Sequence, residues 1–209
     1  LPSRKRLPQV LSDMYFIPEE FQLPAISIST FVKLHAPFYP NFDATMLQKH
    51  MDEFEIGMSG KIASLSFGQR KKFIIAFGLA TNTRLLILDE PTNGLDIPSK
   101  SQFRRIIASS MNEERNIIIS THQVRDLSSL IDHIVVLEKG KIIFDHSTVD
   151  ISSKLAFLQT KDTDHLKVIY SEKVLAGNAV VCLNDGEETE IDLELLFNGV
   201  IADPASFKN

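Results

Sequence analysis

The chain has 209 residues, 44% hydrophobic and 23% charged, an ordinary globular composition long enough for one large domain or one domain with an appendage. Its 27 acids outnumber 22 bases for a formal charge of −5, a balance that argues against a nucleic-acid binder. The single cysteine, Cys182, has no partner for an internal disulfide and reads as a buried thiol in a reducing, cytosolic compartment, and no run approaches the ~18 apolar residues that cross a bilayer.

Residues 1–8 carry Arg4, Lys5 and Arg6 between two prolines and are expected to form a connecting loop. Residues 13–17 read as a short apolar strand that stops at Pro18, ahead of Glu19 and Glu20. From 21 to 63 the pattern turns helical and rich in large side chains, among them Phe31, Leu34, Phe38, Phe42, Leu47 and Met51. Ser27 or Ser29 caps a first helix, residues 37–40 break it, and a second helix starts near Asp43.

Leu65-Ser66-Phe67-Gly68-Gln69 then leads into a helix over residues 70–81. Its stripe of Phe73, Ala76, Phe77 and Ala80 is widened by Ile74, Ile75 and Leu79, which implies burial on most sides. Ser66 and Gly68 sit at the start of that helix, where free backbone N–H groups suit a phosphate; a plain serine N-cap is the other reading of Ser66.

Residues 85–88 are apolar without alternation and run into Asp89 and Glu90, the pattern of a parallel strand buried on both faces and ending in paired carboxylates. Adjacent acids there are costly to desolvate unless a cation meets them, and a magnesium ion carrying polyphosphate suits the position. Ordinary surface acids at a Pro-Thr-Asn-Gly turn are the alternative.

A helix over residues 98–112 is followed by a strand over 116–120, and Thr121-His122 ends that strand at the same sheet edge as Asp89 and Glu90. Residues 123–131 are expected to form a helix, and 133–138 with 141–144, joined by Lys139-Gly140, the final strand pair. Such alternation predicts a doubly wound parallel core. Beyond it come a helix over 148–158, a polar linker at 160–164, and strands at 166–170, 179–183 and 188–191 with a hairpin turn at Asn184-Asp185-Gly186. A short helix over 193–197 ends at Asn198-Gly199.

Ser66 lies 23 positions before Asp89, and His122 lies 33 after it. In that order and spacing, LSFGQ, LLILDE, TNGLD and STH resemble the signature, Walker B strand, D-loop and switch histidine of the ATP-binding cassette (ABC) ATPases, over about residues 10–150. The resemblance implies an α/β fold: a partial RecA-like parallel sheet with helices on both faces. It also implies a helical signature subdomain at about 21–68 within an ATPase domain over 1–159, and a small α+β appendage over 160–209.

The resemblance also implies ATP and Mg²⁺ as cofactors, with Asp89 holding the metal largely through water and Glu90 polarising the attacking water as general base. His122 would meet the γ-phosphate, and Glu19, where the family has the Q-loop glutamine, would reach toward metal and water. Ser66, Phe67, Gly68 and Gln69 would close over ATP bound to the opposite subunit, and Asp96 would contact that subunit. Phe67 replaces the first of the family's two central glycines, so the local shape must differ.

A phosphate-binding loop, G-x-x-x-x-G-K-[ST], is absent. The chain is therefore expected to be the later part of a cassette, with that loop upstream of Leu1, and to bind Mg-ATP weakly or not at all by itself. The activity implied for the parent is that of an ATP-hydrolysing transporter subunit. It would serve an exporter with a separate permease, paired with a second cassette as a homodimer, cytoplasmic at the inner face of the membrane. No direct contact with nucleic acid is expected. The alternative is a soluble ABC protein acting on ribosomes or nucleic acid by ATP-gated dimer closure.

Overall fold

Three strands, β1 (Met14–Ile17), β2 (Leu85–Asp89) and β3 (Asn116–Ser120), pair in parallel in that order, in a computed structural model that describes residues 5–207. Arg4 lies outside the described residues, and α1 (Pro8–Leu11) follows the exposed Lys5 and Arg6. The chain divides between Gln123 and Val124 into two compact units.

In the first unit the local signals decide the helices. α2 (Ile28–His35) begins where Ser27 Oγ accepts the Thr30 amide at 3.0 Å, and it gives way at Pro37 to a 3₁₀ turn, Ala36–Phe38. α3 (Ala44–Glu53) begins where Asp43 Oδ1 accepts the amides of Thr45 and Met46. α4 (Phe67–Ala80) is buried around most of its circumference, as its wide apolar stripe predicts. Phe77, fully buried, meets the rings of Tyr15, Phe31, Tyr39 and Phe42 at centroid distances of 5.2–6.4 Å. The buried Arg115 donates to the Leu79 and Gly78 carbonyls at the C-terminus of α4, and burial pushes its guanidinium down to about 10.

β2 is not buried on both faces. Leu86 and Leu88 are fully buried, whereas Leu85 and Ile87 are half-buried. The register sets Phe16, Ile87 and Ile118 in one row across the other face, where Phe16 is 55% and Ile118 53% exposed. An unbroken apolar run fixes a strand's existence but not how fully each face is covered. α5 (Ile97–Ser109) connects β2 to β3 and buries Phe103, Ile106 and Ile107.

A buried histidine gives this unit a pH dependence. Ser110 Oγ donates to the Ile106 carbonyl at 2.7 Å, so His50 Nε2, 3.1 Å from the same Oγ, keeps its proton and donates. Burial, followed by the cations of Lys49 and Arg115, lowers His50 from 6.5 to about 4. The unfolded chain therefore binds a proton that the fold refuses: the stabilisation is complete above pH 6.5 and is lost as pH falls toward 4. Roughly 2 kcal/mol should disappear between about pH 7 and 4.5 in urea titrations. His50→Gln should show a smaller loss over the same window, and an equal loss in both proteins would refute the assignment.

The second unit holds a hairpin, β4 (His133–Glu138) and β5 (Lys141–Ser147), then α6 (Thr148–Lys154), and an antiparallel sheet of β6 (Leu155–Thr160), β7 (Val168–Val174) and β8 (Gly177–Leu183) in the order β6-β8-β7, and finally α7 (Leu193–Ala202). Lys139 and Gly140 both have positive φ, as the expected two-residue turn requires. Val136, Phe144 and Ile151 share one core with Phe157, Val181 and Leu196, which is why the compact unit begins at Val124 and not near residue 160.

Several expectations fail in this unit. Residues 123–131 form only a 3₁₀ turn, Val124–Asp126, and further turns. Thr121 Oγ1 captures the Gln123 amide, and Ser128-Ser129 supplies little helix propensity. The helix expected to 158 stops at Lys154, because 155–160 pair with β8. Asn184 Oδ1 accepts the Gly186 and Glu187 amides in a turn that leaves β8, while the hairpin tip is Leu175-Ala176. No strand forms at 188–191; there Thr189 Oγ1 accepts the Phe157 amide. α7 runs through Asn198-Gly199, since Asn198 donates to Glu172 and a Cβ on Gly199 would lie 2.7 Å from the Phe207 ring.

Candidate active site

Parallel pairing brings the ends of all three strands to one sheet edge. Because Asp89 stands opposite Ser120 in the register, Ser120 Oγ donates to Asp89 Oδ1 at 2.6 Å. One residue further on, the Glu90 amide donates to the Ser120 carbonyl at 2.9 Å, and the backbone turns through a left-handed φ of 44°. That turn sends the Glu90 carboxylate toward the end of β3. Its Oε1 accepts from the His122 amide at 2.9 Å and lies 2.7 Å from His122 Nδ1, and its Oε2 accepts from Thr121 Oγ1 at 2.9 Å.

Burial works against the charged form of Glu90, but the hydrogen bonds from His122 and Thr121 outweigh it and hold the carboxyl below its ordinary value. Glu90 is thus a carboxylate at neutral pH with both oxygens engaged. Its side chain is 14% exposed while that of His122 is 72% exposed. The imidazole therefore presents its remaining edge and Nε2 to solvent, where an anionic ligand has access.

Glu19, after β1, accepts from Asn93 Nδ2 at 2.6 Å through Oε1. Asn93 belongs to the turn that follows β2, and its amide donates to the Glu90 carbonyl at 3.2 Å. That carbonyl also accepts from Lys71 Nζ at 2.7 Å. Glu19, Phe21, Gln22, Phe67, Lys71 and Asn93 are among the residues lining a cleft of about 550 Å³.

The signature segment is built around a helix start. Ser66 Oγ accepts the Gln69 amide at 3.2 Å, and Gln69 Oε1 accepts the Ser66 amide at 3.0 Å, a reciprocal capping box. Phe67 is 48% exposed and stacks on Phe21 at 6.0 Å. A Cβ on Gly94, which has φ of +79°, would lie 2.9 Å from the Phe67 ring, and one on Gly68 would lie 3.4 Å from the Gly94 carbonyl. Phe67 thus fills the space between the signature and the turn after β2. Asp96 caps α5 by accepting the Ser99 amide at 3.0 Å, and hydrogen bonds from Ser99 hold its carboxyl below the usual range.

Glu90 and His122 are therefore in direct contact, Asp89 stands at the same sheet edge bonded to Ser120, and Glu19 is linked to the Glu90 carbonyl through Asn93. Ser66, Gln69 and Asp96 are engaged as helix caps. Among the described residues no group of three or more His, Cys, Asp or Glu side chains is arranged to hold a metal ion. One or two carboxylates still fit magnesium, which keeps much of its water and takes its other ligands from phosphate. Sequence reasoning missed Lys71 and Asn93. The available signal for Lys71 was its place in the run Arg70-Lys71-Lys72 on a helix whose wide apolar stripe implies burial on most sides, so that at least one of the three cations has to find an acceptor inside.

Residues 16–93 match the family described as ABC transporter. An uncharacterized ABC transporter ATP-binding protein of Methanocaldococcus jannaschii is 31% identical over 138 residues, which are 66% of this chain and 52% of that protein. An energy-coupling factor transporter ATP-binding protein, EcfA2, of Thermotoga maritima is 27% identical over 194 residues, 90% of this chain and 66% of that protein. A solved structure titled as the ATP binding subunit of an ABC transporter superposes with a TM-score of 0.61 at 22% identity, covering 69% of this chain and 62% of that one, a likeness of fold. The chain spans about half the length of the first curated relatives it matches.

Proposed function

Residues 16–93 belong to the ATP-binding domain family of ABC transporters, and on that premise we propose that the intact protein hydrolyses Mg-ATP as the nucleotide-binding subunit of a transporter. The observation that carries the proposal is the Glu90 carboxylate held by His122 and Thr121 at the edge where Asp89 meets Ser120. Magnesium, when bound, would neutralise phosphate charge, and Asp89 would hold it, with Glu19, which accepts from Asn93, reaching toward it. Glu90 would accept a proton from the water that attacks the γ-phosphorus, and the leaving oxygen would depart with ADP. His122 donates Nδ1–H to Glu90 and, with both ring nitrogens protonated, would donate Nε2–H to a γ-phosphate oxygen.

The run of signature, Walker B, D-loop and switch motifs supports pairing with a second cassette, in which Ser66 to Gln69 and Asp96 face the partner's nucleotide; a separate permease at the inner face of the membrane and export as the direction are proposed on the family resemblance alone. Among the described residues no helix is long and apolar enough to cross a membrane. Isolated residues 1–209 are proposed to bind Mg-ATP weakly or not at all, because no G-x-x-x-x-G-K-[ST] loop grips the phosphates.

Two measurements test this. Purification of the intact protein from its own host should bring down a multi-span membrane protein; ribosomal RNA in its place would favour the soluble alternative. Calorimetric titration of Mg-ATP into residues 1–209, checked by intact mass, should give no heat of binding. Low-micromolar binding would overturn the phosphate-loop argument.

A further inference from the structure

Lys71 lies on α4, fully buried, five residues beyond the helix cap Ser66. Its ammonium lies 5.9 Å from the centre of the Phe67 ring, at the wall of the cleft that Glu19 and Asn93 also line. A lysine there takes an ammonium out of water, a costly arrangement unless the charge is used. Burial lowers the Lys71 ammonium from its ordinary value, and the carboxylates of Glu19, Glu90 and Asp89 oppose that lowering.

The ammonium is directed at the backbone of the acid proposed above as the base. Nζ donates to the Glu90 carbonyl at 2.7 Å, sharing that oxygen with the Asn93 amide at 3.2 Å. Glu90 has a φ of 44°, a conformation that L-residues adopt only when their surroundings impose it. Its N–H is pinned by Ser120 on one side and its C=O by Lys71 on the other. The direction in which the Glu90 side chain leaves the backbone is therefore set from both flanking peptides.

We propose that Lys71 is a positioning residue for ATP hydrolysis, tethering the left-handed Glu90 backbone to the signature helix so that its carboxylate meets His122 and Thr121. This rests on the ATPase reading, and it adds a residue from the second turn of α4 to the hydrogen-bonded group at the ends of β2 and β3. Lys71 acts through Glu90 and needs no contact with nucleotide.

The test compares Lys71→Met, which keeps length and removes the donor, with Lys71→Arg, which keeps a cationic donor. In the intact protein Lys71→Met should lower kcat about 10–100-fold, the value of one charge-assisted hydrogen bond, with KM for ATP within about twofold. Lys71→Arg should recover most of that loss. Amide hydrogen exchange needs no nucleotide: in Lys71→Met the Glu90 and Asn93 amides should exchange about tenfold faster, with little change in the amides of α4. An unchanged kcat in an active background overturns the proposal, as does a kcat loss matched by a fall in melting temperature that Lys71→Arg does not rescue. If the wild-type protein does not hydrolyse ATP, the ATPase reading fails separately. The exchange result then decides the tether, faster exchange supporting it and unchanged exchange sinking it.

Discussion

Replacing Glu90 with Gln in the intact protein is expected to cut ATP turnover by about 10²–10⁴-fold, the range that a general base contributes. The amide keeps the size of the carboxylate and an acceptor for His122 or Thr121, so the turn after β2 should hold its shape. What it loses is the capacity to take a proton from water. Nucleotide affinity should stay within a few-fold of wild type, and a nucleotide-bound pair of cassettes should accumulate. Phosphate release and sedimentation of the variant with Mg-ATP read both effects, and unchanged turnover would remove Glu90 from the chemistry.

The second large effect is on stability. Phe77→Ala should destabilise the first unit by about 3–5 kcal/mol, since the ring is fully buried and meets four other aromatic side chains. Those partners come from β1, from α2 and from the segment between α2 and α3, so a cavity at Phe77 loosens the packing that holds α4 under the sheet. Phe77→Leu should cost less, because it leaves a smaller void. Urea unfolding with tyrosine fluorescence, which reports on Tyr15 and Tyr39 beside the ring, measures the difference. A loss below about 1 kcal/mol for the alanine variant would mean that the cluster collapses around the gap.

What could be read from the sequence differs between the two units for a physical reason. In the first, local signals agree with tertiary packing: Ser27 and Asp43 cap the helices they precede, and the wide stripe on α4 is buried as its width requires. That Asp89, Glu90 and His122 share one sheet edge was legible because they lie at or just past the ends of two strands, and parallel strands deliver their ends to one edge. In the second unit long-range pairing overrides local preference. Residues 155–158 carry a pattern that suits a helix and yet become a strand because β8 lies beside them, a fact absent from any short window. Lys71 and Asn93 were missed for the same reason, since their partners lie 19 and 74 positions away in Glu90 and Glu19. Ser66 shows how both readings of one residue can be compatible. It is a capping serine in this structure, and its place at a helix start is also where a phosphate is met.

The most direct test of the central claim is phosphate release from Mg-ATP by the intact protein, followed with and without magnesium chelation. Sustained, magnesium-dependent release that rises more steeply than linearly with protein concentration is the predicted result, because each site would need a second cassette to close it. Release at the background rate, with the protein folded and nucleotide bound, would contradict the assignment of Asp89, Glu90 and His122 to hydrolysis.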